Sequence, residues 1–201
     1  MIKAIIFDFG NVICTFDNDI FLQKISKFTG KSVEELDGII YKDSGLPVAY
    51  ESGKITSDKF YEEICRLCDL TISKTDFIEA YSNIFTPITA TFDLIKKLSG
   101  NYKLALLSNT SEIDYEYGIR KFEVSKLFDV TSLSYKVGEM KPGGKIFEDV
   151  LGKLKLKPEE CVYMDDIEQY VQVARDLGIH GLHYISNSKL LDDLKNLGVK
   201  V

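Results

Sequence analysis

Six residues in four separate stretches carry the chemistry that this 201-residue chain could perform. Asp8 closes one short apolar run, Ser108 and Asn109 close a second, Lys141 opens a helical pattern, and Asp165 and Asp166 close a third apolar run. A carboxylate can act as a nucleophile or offer oxygen to a hard cation. A hydroxyl and an amide offer hydrogen bonds, and a lysine offers positive charge to an anion. Each residue also has a plain structural reading. An Asp at a strand end caps or turns, Ser-Asn-Thr is an ordinary turn, a lone Lys is solvated, and Asp165-Asp166 caps the next helix. Open α/β sheets bind ligands at the carboxyl ends of their strands. All four stretches fall at such an end or at a helix start, and together they describe one site.

The elements that must position these residues are legible from their periods. Lys3 to Phe9 reads as a buried parallel strand. Further strands are predicted over Lys103–Leu107, Val130–Ser134 (weakly), Cys161–Met164 and Gly181–Ile185. Helices separate them: Thr91 to Leu98 before Gly100, a polar mixed one over Ser111 to Phe122, and one opened by Pro142 with Ile146, Phe147, Val150, Leu151 and Leu154 on its core face. Another reaches Leu177 with Gly178 as its cap, and a last one ends at Gly198. Between about Thr15 and Phe85 no strand is expected. Ile20, Phe21, Ile25 and Phe28 recur at helical spacing, Ser32-Val33-Glu34-Glu35 is a capping box, and Ser57 and Ser73 can open two more helices. Alternating strands and helices predict an α/β fold with a doubly wound parallel sheet. The expected division is a core of residues 1–15 and 88–201 with an all-helical module, 16–87, inserted after the first strand.

Composition narrows the function. Hydrophobic residues make up 45% and charged residues 28%, and the net charge is -6 without a basic run. These values argue against nucleic-acid binding and against a polybasic membrane contact. The run Ala4-Ile5-Ile6-Phe7 is broken at once by Asp8, so neither a leader nor a span is expected, and a cytoplasmic location follows as the expectation. Cys65 and Cys68 share one face of a helical pattern, and core packing is the better reading than a metal or redox pair. His180 and His183 flank the last strand, away from the four stretches, and are expected to be structural.

Asp8-Phe9-Gly10-Asn11-Val12, Leu107-Ser108-Asn109, Lys141-Pro142 and Met164-Asp165-Asp166 resemble the four ordered motifs of the haloacid dehalogenase (HAD) superfamily. The resemblance covers the whole chain and implies a Rossmann-like core, with 16–87 as its helical cap. The Gly-Asn-Val segment and Glu51-Ser52-Gly53-Lys54-Ile55-Thr56 are similar to the subgroup of bacterial α-glucose-1-phosphate phosphatases. The resemblance implies a phosphatase acting on a small phosphorylated metabolite, as a monomer or weak homo-oligomer. Asp8 would attack phosphorus to form an aspartyl-phosphate. Mg2+ would be held by Asp8, the carbonyl of Gly10 and Asp166, with Asp165 orienting those ligands or Lys141. Ser108 and the N–H of Asn109 would hold phosphate oxygens. Lys141 would neutralise the transferring group and keep Asp8 ionised.

Two positions depart from the pattern. Most phosphatases of the superfamily carry an acid two residues after the nucleophile, where this chain has Gly10; Asp17 is the nearest alternative in sequence. Tyr170 stands where many relatives have Asn or Asp. These departures leave two other readings beside the phosphatase. One is a non-catalytic binding protein that kept the fold. The other is a metal-independent 2-haloacid dehalogenase, which the paired Asp165-Asp166 disfavours.

Overall fold

Ala4–Phe7 (β1) is buried on both faces, and this apolar, partly β-branched run occupies the centre of a five-stranded sheet. The computed structural model describes all residues, Met1 to Val201. Two short strands, Cys14–Phe16 (β2) and Phe85–Pro87 (β3), pair with each other outside that sheet. The remaining strands are Lys103–Ser108 (β4), Val130–Leu133 (β5), Cys161–Asp165 (β6) and His180–His183 (β7). The sheet order is β5-β4-β1-β6-β7, and every pairing is parallel. Phe7 is in register with Leu106 on one side and with Met164 on the other. The strand ends therefore lie side by side.

Helices cover both faces, as the crossovers of a parallel sheet require. On one face Leu94, Ile95 and Leu98 of Thr89–Leu98 and Leu190 and Leu194 of Asn187–Asn196 pack on Ile5 and Phe7. On the other, Ile146, Phe147, Val150 and Leu154 of Gly144–Leu154 pack on Ala4, Ile6 and Tyr163. The expected core face of that helix is thus in place, although the helix starts two residues after Pro142.

Residues 18–82 form helices with an apolar cluster of their own, built on Phe21, Tyr50, Phe60, Ile64, Phe77 and Tyr81. Tyr50 stacks on Phe60 at 4.4 Å, and Tyr81 meets Phe60 edge-on at 5.2 Å. Cys68 is buried in this cluster and Cys65 packs against it, both as free thiols, so the CxxC pair serves packing. The Ser32 capping box forms as expected, and Ser73 caps Lys74–Ser82. Thr56 rather than Ser57 caps Ser57–Cys68, because its hydroxyl reaches the N–H of Lys59.

Two further expectations are corrected. The stretch expected to lack strands is bounded by β2 and β3, whose antiparallel ladder (Thr15 opposite Thr86) ties the ends of the insert together. Three residues on each side are too few to show an alternating pattern. The helix expected over Ser111 to Phe122 is instead a wide, π-type turn at Asp114–Gly118 followed by two short 3-10 turns. Gly118 breaks the helical run and lets Phe85 and the carbonyl of Ser82 approach to where a Cβ would stand, at 2.8 Å.

Phe60→Ala should cost about 3–5 kcal/mol, because it removes a stacked ring from a closed aromatic cluster. Denaturant unfolding monitored by circular dichroism checks this. A loss below roughly 1 kcal/mol would mean that the cluster collapses onto the vacancy.

Candidate active site

Three neighbouring strands deliver three of the four stretches to one point. Asp8 follows β1, Ser108 ends β4 and Asp165 ends β6, with Asp166 next to it. Lys141 arrives from the loop before Gly144–Leu154 and is held there by Asn109. The Lys141 N–H donates to Asn109 Oδ1 at 2.7 Å, and Asn109 Nδ2 donates back to the Lys141 carbonyl at 3.1 Å.

Lys141 Nζ lies 2.6 Å from Asp8 Oδ1 and 2.6 Å from Asp165 Oδ2. All three side chains are buried. Asp165 is fixed further by the hydroxyl of Tyr163 and by the N–H of Ile167 at 2.8 Å. Its carboxylate is fully enclosed, whereas Asp8, Gly10, Ser108, Asn109, Lys141 and Asp166 all line one cavity of about 290 Å³. Asp8 is pushed up to about 7 by burial, which outweighs the pull of the Lys141 ammonium; the charge of Asp165 adds to the rise. Burial pulls Lys141 down, but the charges of Asp8 and Asp165 more than compensate and raise it. Lys141 thus stays charged and by itself falls short of holding Asp8 in the usual carboxylate range.

The donor set suits a hard cation. Carboxylate oxygens of Asp8, Asp165 and Asp166 lie within 4.8 Å of one another, and only one ammonium balances three carboxylates. An all-oxygen cluster is the ligand chemistry of magnesium or calcium rather than of a thiolate-binding metal. Asp8 Oδ2 faces Gly10, 3.9 Å from where a Cβ there would be.

Reading the sequence missed two contributors. Asn11 Nδ2 donates to Asp166 Oδ2 at 2.9 Å, and its φ of 55° lies in the left-handed region that Asn tolerates better than most residues. That tolerance is the signal in Gly-Asn-Val. The second is His183, expected to lie away from the four stretches. Its Nε2 lies 2.9 Å from the Asp166 carbonyl, which can only accept, so Nε2 carries the proton. His180 meets only the carbonyl of Glu159.

The two departures also find places. Asp17 caps Asn18–Ile25 through the N–H of Asp19 at 2.9 Å and is not part of the cavity wall. Tyr170 lines the cavity with its ring 5.1 Å from Lys141 Nζ, a cation–π distance. The wall contains two acids from outside the four stretches. Glu51 is held up at about 7 by burial alone. Asp114 is held up at about 8, chiefly by burial, despite the Ser111 hydroxyl donating to its Oδ2 at 2.8 Å.

Asp114 gives a pH signature. Its carboxyl titrates near 3.8 in an open chain and near 8 when folded, so the folded state binds the extra proton between those values. The associated stability is complete below the lower value and is lost as pH rises through the upper one. Asp114→Asn should therefore flatten the dependence of the urea midpoint between about pH 5 and pH 9. Parallel profiles for variant and wild type would show that Asp114 is ionised in the fold at neutral pH.

With this geometry in hand, the chain matches the haloacid dehalogenase-like hydrolases over residues 2–178. It is similar to the D-ribitol-5-phosphate phosphatase of Bacteroides thetaiotaomicron, 28% identical over 186 residues and 89% of each chain. A HAD family enzyme from Bacteroides thetaiotaomicron, solved in complex with magnesium and inorganic phosphate, superposes with a TM-score of 0.79 at 27% identity, covering 91% of this chain and 94% of that one. The L-2-haloacid dehalogenase of Xanthobacter autotrophicus shares the fold alone, with a TM-score of 0.66 at 17% identity over 100% of this chain and 85% of that one. Since the family match runs across most of the chain and the four stretches meet at one cavity, the protein belongs to the haloacid dehalogenase-like hydrolase family.

Proposed function

We propose that this protein is a magnesium-dependent phosphatase that hydrolyses a small phosphate monoester through an aspartyl-phosphate on Asp8. The observation that carries the reading is the cluster of Asp8, Asp165 and Asp166 oxygens within 4.8 Å of one another, beside a lysine 2.6 Å from Asp8. A haloacid dehalogenase has no use for a third carboxylate beside its nucleophile, because it attacks carbon without a metal. The similarity to a D-ribitol-5-phosphate phosphatase and to a magnesium- and phosphate-bound enzyme supports the same reading.

Asp8 would use a carboxylate oxygen to displace the alcohol from phosphorus, and water would then hydrolyse the aspartyl-phosphate. Lys141 Nζ would balance charge on the transferring group, and the fixed Asn109 clamp keeps it from swinging away. Ser108 and the N–H of Asn109 would hold phosphate oxygens. Asp8, the Gly10 carbonyl and Asp166 would hold Mg2+, with Asp165 orienting Lys141. The ion supplies charge neutralisation that lets a carboxylate approach a phosphate dianion. Residues 1–15 and 88–201 act in this reading as the catalytic core, and 16–87 as a cap that shapes the cavity through Asn18, Tyr41, Glu51 and Tyr81. The substrate class is a small phosphorylated metabolite, met in the cytoplasm. No helix is long and apolar enough to cross a membrane.

Gly10 refines the substrate. With no carboxyl at this position, an alcohol that leaves readily suffers least, and an anomeric oxygen leaves more readily than a primary one. A sugar 1-phosphate is therefore the proposed substrate.

Asp8→Asn should reduce turnover of phosphate esters to background while the circular dichroism spectrum is unchanged, because the amide keeps the shape but loses the nucleophile. Asp166→Ala should weaken magnesium activation more than Asp165→Ala, as read from activity titrated with Mg2+. The reverse order would exchange their roles. Turnover should also rise steeply as the leaving-group pKa falls. Gly10→Asp should flatten that slope, given that Phe16, whose ring would sit 3.1 Å from the new Cβ, is exposed and free to shift. A flat slope in the wild type would mean that a residue of the cavity wall already donates the proton.

A further inference from the structure

Asp166 stands one residue beyond β6, where the regular ladder stops. The Tyr184 N–H still donates to the Asp165 carbonyl at 2.9 Å. At the next carbonyl, that of Asp166, a side chain takes over: His183 Nε2 donates to it at 2.9 Å. Asp165 and His183 are opposite each other in the β6–β7 register, so the pairing that places the carboxylates also places the imidazole. The ring is bracketed from its other side. Glu168 Oε2 stands 3.3 Å from Nδ1, and Glu168 is paired with Arg175, whose Nε donates to the Gly181 carbonyl at 3.0 Å. His183 is not part of the cavity wall, so it acts on the site only through Asp166.

The carboxylate of Asp166 is held from a different element. Asp165 is bound by Lys141 Nζ, the Tyr163 hydroxyl and the Ile167 N–H, whereas Asp166 takes its side-chain hydrogen bond from Asn11, 2.9 Å from Oδ2. Asn11 is exposed, and an exposed side chain is ordinarily free to wander. Here the backbone aims it. Its φ is 55°, its N–H donates to the Cys14 carbonyl at 2.7 Å, and the N–H groups of Ile13 and Cys14 close on the Phe9 carbonyl at 2.9 and 3.1 Å. The same turn carries the Gly10 carbonyl. Asn11 thus ties the oxygen donors that follow β1 to the one that follows β6.

We infer that Asn11 and His183 are positioning residues that clamp Asp166 at its carboxylate and at its carbonyl, and that this clamp makes the cluster prefer Mg2+ to Ca2+. The inference rests on the metal assignment of the proposed function and concerns how this chain tunes it. Mg2+ demands near-octahedral geometry, whereas Ca2+ accepts looser shells and carboxylates that offer both oxygens. With Oδ2 engaged by Asn11 and the peptide plane fixed by His183, Asp166 is set to offer a single oxygen in one orientation. Loss of either bond frees the carboxylate to turn, which harms the stricter ion more.

Ion binding without substrate tests the clamp. The full chain is stripped of metal by chelation, and apparent Kd values for Mg2+ alone and for Ca2+ alone are read from the rise of Tm with ion concentration. Asn11→Gly removes the amide and keeps the turn, because glycine takes a φ of 55° without strain. Mg2+ affinity should fall roughly tenfold or more in Asn11→Gly and in His183→Leu, and Ca2+ affinity by no more than about threefold. His183→Gln retains an N–H donor and should recover most of the Mg2+ affinity that the leucine variant loses. Equal losses for the two ions, or unchanged Mg2+ affinity in both Asn11→Gly and His183→Leu, would overturn the clamp. A glutamine variant no better than the leucine one would overturn the assignment of His183. A wild type that takes up neither ion would sink the metal assignment and the clamp together. The expected selectivity in a wild type that hydrolyses no phosphate ester would keep the clamp and sink the phosphatase reading instead.

Discussion

A buried ammonium between two buried carboxylates is the constraint on which the rest of the structure depends. Lys141 is 4% exposed, and its charge is tolerable in that position only because Asp8 and Asp165 each stand 2.6 Å from it. Removing either partner leaves an uncompensated charge in a closed space. The arrangement demands that β1 and β6 be adjacent and parallel, so that residues following Phe7 and Met164 emerge together. It also demands that β4 flank β1 on the other side, so that Asn109 can clamp the Lys141 backbone. Sheet order, loop length and site geometry are therefore one requirement. The triad still carries an excess of negative charge once Asp166 is counted, and this leaves the cluster receptive to a hard cation.

The chain divides two chemical tasks between two packing units. The sheet supplies charged groups on rigid strand ends, where misplacement by even an ångström would matter. The insert, built on an aromatic cluster of its own, brings Asn18, Tyr41, Glu51 and Tyr81 to the cavity wall. The two meet where β2 pairs with β3, at the Phe9–Phe85 edge-on pair at 5.3 Å, where Ile113 reaches into the insert's cluster, where Ser57 bonds Glu112, and at the close approaches of Gly53 to Tyr135 and of Ser82 to Gly118. Tyr50 links them again, since its hydroxyl accepts from the N–H of Ile113 at 3.0 Å. Tyr41, Glu51 and Tyr81 reach the cavity wall because of how this unit seats on the core, and the core could keep its charged cluster while the insert's wall changed.

The sequence by itself determined the parallel α/β architecture, because each strand is a short apolar run closed by polar residues and each covering helix shows its apolar stripe. It also marked Asp8, Ser108, Asn109, Lys141, Asp165 and Asp166, since each falls where a strand ends or a helix begins, and that position is set locally. It did not determine the β2–β3 ladder, where three-residue strands carry no period, nor the break of the helix at Gly118, which depends on Phe85 and Ser82 approaching from elsewhere. Only the tertiary structure decided that Asn11 and His183 bind the side chain and the carbonyl of Asp166, and that Asp17 is a cap while Glu51 and Asp114 face the cavity. A strand or helix is specified by neighbours in the chain, whereas the company a side chain keeps 63 or 155 residues away is specified by packing, and no local pattern encodes it.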